Sequence, residues 1–88
     1  MSAETLALLR ERLATLQPES LAIEDESHLH AGHAGARGGG HYAVTIVAAA
    51  FAGHGTVARH RLVYAAAGDL MRGPVHALRV RALAPGEV

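Results

Sequence analysis

Apolar residues along this chain switch their spacing from three-and-four to two, back to three-and-four, and finally to two again. That succession restricts the fold more than any other feature, because each period belongs to one kind of element. Leu6, Leu9, Leu13 and Leu16 form a helical stripe, with Arg10, Glu11 and Arg12 mostly away from it. Ser2 is placed to cap this helix, and Pro18 ends it at about Leu16 or Gln17. "SLAIEDE" then alternates Leu21 and Ile23 against Ala22 and Glu24, which predicts a short strand with one apolar face. From Tyr42, "YAVTIVA" is rich in β-branched residues and sets Val44 and Ile46 against Thr45 and Val47, a second strand expected to pair antiparallel with the first. Thr56 is placed to cap a helix from about Val57 to Met71, with Val63, Ala66 and Leu70 on one stripe and Gly68 weakening it enough to favour two short pieces. Gly73-Pro74 stops it.

The last segment, "VHALRVRAL", alternates again, which places His76, Leu78, Val80 and Ala82 on one face and Ala77, Arg79 and Arg81 on the other. A strand, a helix and a strand in succession predict a parallel pair for the second and third strands. The expectation is an α+β sandwich in the order αββαβ, with a three-stranded mixed sheet and the helices on one face. A chain of 88 residues buries only a little over about 60% of its unfolded surface, so residues 1–88 are read as one domain with one continuous core.

Eight basic and eight acidic side chains cancel, so no overall field draws the molecule toward nucleic acid or membrane. Cysteine is absent, which excludes disulfides, thiolate metal sites and thiol nucleophiles and suits a reducing compartment. No stretch approaches the roughly 20 apolar residues of a membrane span. These features predict a soluble, cytoplasmic protein.

Residues 26–41, "ESHLHAGHAGARGGGH", read as a flexible loop that holds His28, His30, His33 and His41. Neutral imidazole is a common metal ligand, and His30 and His33 stand as H-x-x-H, close enough to share an ion if the loop turns. The alternative is a solvated loop in which the histidines are incidental. His76 opens the third strand, where a stiff element aims a side chain better than a loop does, although a partly buried ring bonded to a backbone carbonyl is an equal reading there. One imidazole on the loop and one on the strand meeting at a common site is what makes the loop composition intelligible.

Arg59-His60-Arg61 near the start of the second helix suits anions or an acidic partner, or else forms a solvated turn with His60 at its edge. Enzyme readings fare poorly. Ser20 and Ser27 lack a nucleophile motif, Glu24, Asp25 and Glu26 form a charged strand exit, and Gly38-Gly39-Gly40 precedes a strand rather than a helix.

Four segments resemble the BolA family: "DESHLHAGH" at 25–33, "GHYAVTIVAAAF" at 40–51, "VARHRLVY" at 57–64 and "GPVHALRVRALAP" at 73–85. With the first helix they cover nearly the whole chain in the family's order. The resemblance implies an αββαβ fold like a class II KH domain. It also implies a non-enzymatic adaptor that pairs with a monothiol glutaredoxin and shares a [2Fe-2S] cluster with it and glutathione, in cluster trafficking or iron sensing. On this resemblance His76 is the fixed cluster ligand and His30 the loop ligand, with His33 as a substitute. His41 has a structural or auxiliary role, and Arg59, His60, Arg61 and His41 face the partner. No cofactor is expected in the isolated protein, which would be a monomer or weak homodimer. The alternative is a DNA- or RNA-binding transcriptional regulator using Arg59, Arg61, Arg79 and Arg81, although the KH clamp G-x-x-G is missing. Tyr42, where the family usually has Phe, and Gly68-Asp69 depart from the family pattern.

Overall fold

The computed structural model describes residues 2–27 and 40–87. Helix α1 spans Ser2–Leu13, with Glu4 in its first turn and Arg10 and Arg12 in its last, an arrangement that complements the helix dipole. A 3-10 turn over Ala14–Leu16 follows. Gln17 closes it at φ 55° and ψ 54°, its N–H donating to the Ala14 carbonyl, and Pro18 prevents further helix. The leucine stripe faces the core: Leu9 and Leu13 are fully buried, while Leu6 and Leu16 pack against its margin. Burial of each of the first two contributes about 1.5–3 kcal/mol.

Strand β1 covers Ser20–Asp25, β2 Gly40–Val47 and β3 Val75–Leu83, in the sheet order β1-β2-β3. The β1–β2 pair is antiparallel and the β2–β3 pair parallel, as the periodicity predicts. β2 begins two residues before Tyr42. The Gly40 N–H donates to the Pro74 carbonyl at 2.9 Å, so Gly40 and His41 belong to the sheet rather than to the loop expected over 26–41. Of that loop, 28–39, with His28, His30 and His33, lie outside the described residues.

After β2, a 3-10 turn over Ala49–Phe51 carries Phe51 into the centre of the core, where it is the largest fully buried side chain. Helix α2 spans Thr56–Ala67. Thr56 is its first helical residue rather than its cap; Gly55 holds the cap position and makes no side-chain cap bond. The helix gives way at Gly68, φ +58°, to a 3-10 turn over Gly68–Arg72, the two-piece division that the glycine predicts. Arg12 fastens this junction to α1, its Nη1 donating to the Ala67 carbonyl at 3.1 Å and to Asp69 Oδ1 at 2.7 Å. Tyr42, Val44, Ile46, Val63, Val75 and Leu78 join the buried leucines and Phe51 in one core between sheet and helices.

The β2–β3 ladder contains one irregularity. Gly40 pairs with Val75 and the next residue, His41, with Ala77, so β3 carries one extra residue, His76, in a β-bulge. The backbone hydrogen bonds show the same shift. Even-numbered Pro74 turns its carbonyl toward β2 ahead of the bulge and odd-numbered Leu83 does so beyond it, accepting from Ala48 N–H at 2.9 Å. The even-numbered carbonyls of Leu78 and Ala82 then face outward, where Tyr64 Oη (3.3 Å) and Arg59 Nη1 (3.0 Å) from α2 donate to them and blunt the sheet edge.

Candidate functional site

The bulge overturns the expected face of His76. Strict alternation would set it beside Leu78 and Val80 toward the helices, yet His76 is exposed whereas Val75 and Leu78 are buried. With two residues of β3 opposite the single residue His41, His76 is re-aimed away from the core, and its ring centroid lies 5.2 Å from that of His41 at an interplanar angle of 53°. Two imidazoles thus meet at the end of the sheet where β2 begins.

The chain around them is tied at both roots of residues 28–39. On one side the Glu26 N–H donates to the His41 carbonyl at 2.7 Å, and Ser27 Oγ accepts from the His41 N–H at 3.1 Å. Asp25 Oδ1 in turn accepts from the Ser27 N–H at 2.9 Å. On the other side, Gly40 is bonded to Pro74, two residues ahead of His76. The segment with His30 and His33 therefore leaves and re-enters the fold beside His76. Where those two side chains stand lies outside the described residues.

Tyr42 backs the site from the core side. A Cβ on Gly40 would lie 2.6 Å from its ring, so the glycine gives the phenol room to lie across the backbone. Burial raises the Tyr42 pKa, against the lowering effect of a hydrogen bond with Thr5 and with a smaller raising effect from the Asp25 charge.

Ion pairs divide the arginines. Arg79 reaches from β3 across to Glu26 at the exit of β1, with Nη2–Oε2 at 2.7 Å and Nε–Oε1 at 3.2 Å. The hydrogen bond to Glu26 raises the Arg79 pKa further. Arg59 forks onto Glu87 at 2.6 and 2.9 Å, and its Nε donates to the His54 carbonyl at 2.7 Å. This bridge, aided by the Ala84 N–H, draws the Glu87 carboxyl down to about 2. Arg59, at 14% side-chain exposure, is thus committed within the chain. Arg61 and Arg81 are exposed, and His60 meets Tyr64 edge-on, with ring centroids 6.3 Å apart. His54, Thr56, Arg59 and His60 line one side of a groove of about 420 Å³ whose other side is β3 from Val80 to Leu83. The Arg59-His60-Arg61 cluster and the His41–His76 pair therefore occupy different places: the first borders this groove at the α2 entrance, the second the entrance of β2.

Among the described residues no group of three or more His, Cys, Asp or Glu side chains is arranged to hold a metal ion, so the two imidazoles form a partial donor set. No helix among those residues is long and apolar enough to cross a membrane. Sequence reasoning missed the bulge and hence the exposure of His76, and it missed Glu26 as a site neighbour. The sole signal for the latter was its position at the root of the histidine-rich segment.

A two-layer α+β domain with a histidine pair at a strand bulge is the class that these features define. A family model described as BolA, BolA-like protein, matches residues 13–87, and the chain belongs to that family. It is 41% identical over 87 residues to SufE-like protein 1, chloroplastic/mitochondrial, of Arabidopsis thaliana, covering 91% of this chain and 24% of that protein. It is 39% identical over 82 residues to BolA-like protein 1 of Homo sapiens, covering 92% of this chain and 58% of the relative. The solved BolA domain of SufE1 from Arabidopsis thaliana has the same fold, with a TM-score of 0.79 at 41% identity and 91% of each chain covered. The solution structure of BolA1 from Mus musculus gives 0.75 at 36%, covering 92% of this chain and 65% of that one. The chain spans less than two thirds of the length of the first of these curated relatives, from 24% to 58%.

Proposed function

We propose that this chain is a non-enzymatic cytoplasmic adaptor that binds a monothiol glutaredoxin and holds a [2Fe-2S] cluster jointly with it, in cluster trafficking or iron sensing. One observation carries the reading: in a chain without cysteine, a strand bulge turns His76 outward beside His41, at the place where the His30–His33 segment joins the fold. The donor chemistry fits such a group as half of a site. Imidazole nitrogen is available and cysteine thiolate is not, so a partner must supply the thiolates.

In this arrangement His76 and either His30 or His33 would hold the group from this chain, and a glutaredoxin cysteine and glutathione would supply its thiolate ligands. Nitrogen ligation of one iron raises the reduction potential above that of an all-thiolate site when the group is bound. Imidazole is also the protonatable ligand, so the complex loosens as pH falls. His41 supports the His76 ring, and Gly40 and Ser27 anchor the segment that brings the second nitrogen. His60 and the exposed Arg61 offer a polar, cationic surface to the partner or to glutathione. The relative named SufE-like protein 1 carries a BolA domain within a longer chain, which suits a module that works through an attached or recruited partner.

The experiment mixes the chain with a monothiol glutaredoxin, iron, sulfide and glutathione. A coloured heteromeric complex is expected, and His76→Ala should change its visible spectrum or lower its stability; a variant complex identical to the wild type would overturn the ligand assignment. The nucleic-acid alternative draws less support, because Arg59 and Arg79 are already bridged to carboxylates and only Arg61 and Arg81 of its four arginines stand clear. A salt-sensitive affinity for duplex DNA or RNA would favour it.

A further inference from the structure

We propose that the Glu26–Arg79 bridge is a positioning clasp that holds His41 in ring contact with His76. The proposal rests on the reading of His76 as the fixed ligand and adds two residues that the reading itself does not use. Arg79 belongs to β3 and Glu26 follows β1, so the bridge passes over the intervening strand β2. The residue of β2 that pairs with Arg79 is Ala43, whose single methyl group leaves the crossing open. Glu26 is in turn bonded through its own N–H to the His41 carbonyl, and its neighbour Ser27 accepts from the His41 N–H.

The bridge thus closes a ring of contacts: Arg79 to Glu26, Glu26 and Ser27 to His41, His41 across the ladder to Ala77, and Ala77 along β3 back to Arg79. His76 lies next to that ring, one residue before Ala77 at the bulge, with its imidazole against that of His41. A bulge interrupts the regular ladder, so the backbone alone holds β2 and β3 least firmly at this point. A two-pronged guanidinium–carboxylate pair fixes direction as well as distance. Arg79 is 74% exposed and Glu26 19%, and pairs with a partner so open to water add little to global stability. A conspicuous geometry with little stabilising value, placed beside the proposed ligand, points to a local task.

The test uses the full chain without partner or cluster. Arg79→Met keeps the stem and removes the positive charge, Glu26→Gln keeps the shape and removes the negative charge, and the double variant Glu26→Arg/Arg79→Glu exchanges the ends. Each single variant should keep its unfolding midpoint within about 4 °C of the wild type. Each should also lose the nuclear Overhauser contact between the His41 and His76 rings and exchange the His41 amide roughly tenfold faster, and the exchanged pair should recover both. Intact ring contact and exchange rate in both single variants would overturn the clasp, as would single-variant losses that the exchanged pair leaves uncorrected. Failure to form a coloured complex would count against the cluster reading while leaving this readout unchanged, so the two ideas fail separately.

Discussion

At Gly40 a single hydrogen stands where any other residue would place a carbon 2.6 Å from the Tyr42 ring. Because Tyr42 is buried at 3% exposure, the ring cannot swing out to make room and would have to press into the core. Gly40→Ala is expected to destabilise the chain by about 1–3 kcal/mol, the usual cost of overpacking, and to shift the His41 backbone next to it. Urea unfolding combined with the His41 amide chemical shift checks both effects; an unchanged midpoint would mean that the ring has free space. The sequence displayed this glycine at the end of a glycine run, where it looked like the last residue of a loop. Nothing in "GGGHY" distinguishes Gly38 and Gly39 from Gly40, since the reason for the third is a ring packed over it from two residues ahead.

Elements in this fold are joined by arginines more than their surface charges suggest. Arg12 ties α1 to the end of α2, and Arg59 ties α2 to β3 and to the closing turn at Glu87. The Glu87 carboxyl lies at about 2 in the folded chain against an ordinary value of 4.5, so its bridge stabilises the fold fully above about pH 4.5 and ceases to do so as pH falls through about 2. Glu87→Gln should therefore unfold more readily than the wild type at neutral pH, with the gap closing between pH 4.5 and 2. Thermal melts across that interval test it, and a constant gap would contradict the bridge. Strand phase was the element-scale feature that the sequence concealed. "VHALRVRAL" alternates without a break, and the bulge becomes visible only from the pairing partner, because Val75 and Leu78, three apart, both reach the core. The same alternation correctly placed Val80 and Ala82 beyond the bulge, where the ladder is regular.

Over the whole molecule, the architecture was legible because burial follows period. The leucine stripe of α1, the alternation of β1 and β2, the Val63–Ala67 face of α2 and Leu70 of the 3-10 turn after it all point into one core, and Pro18, Gly68 and Gly73-Pro74 mark the boundaries. Phe51 escaped that logic, since a short 3-10 turn has no repeat long enough to announce which residue it buries. The site was legible in its residue types and only half legible in its geometry. His76 was singled out for the stiffness of its strand, while its outward direction and its contact with His41 come from strand pairing that no single segment encodes.

The central claim is that an imidazole turned outward by a bulge becomes a ligand once a thiol-bearing partner arrives. Pulsed electron paramagnetic resonance of the reduced glutaredoxin complex, prepared with 15N-histidine only in this chain, tests it most directly. Two strongly coupled 15N nuclei are predicted, with one lost in His76→Ala; no 15N coupling, or a pattern that His76→Ala leaves intact, would contradict the account.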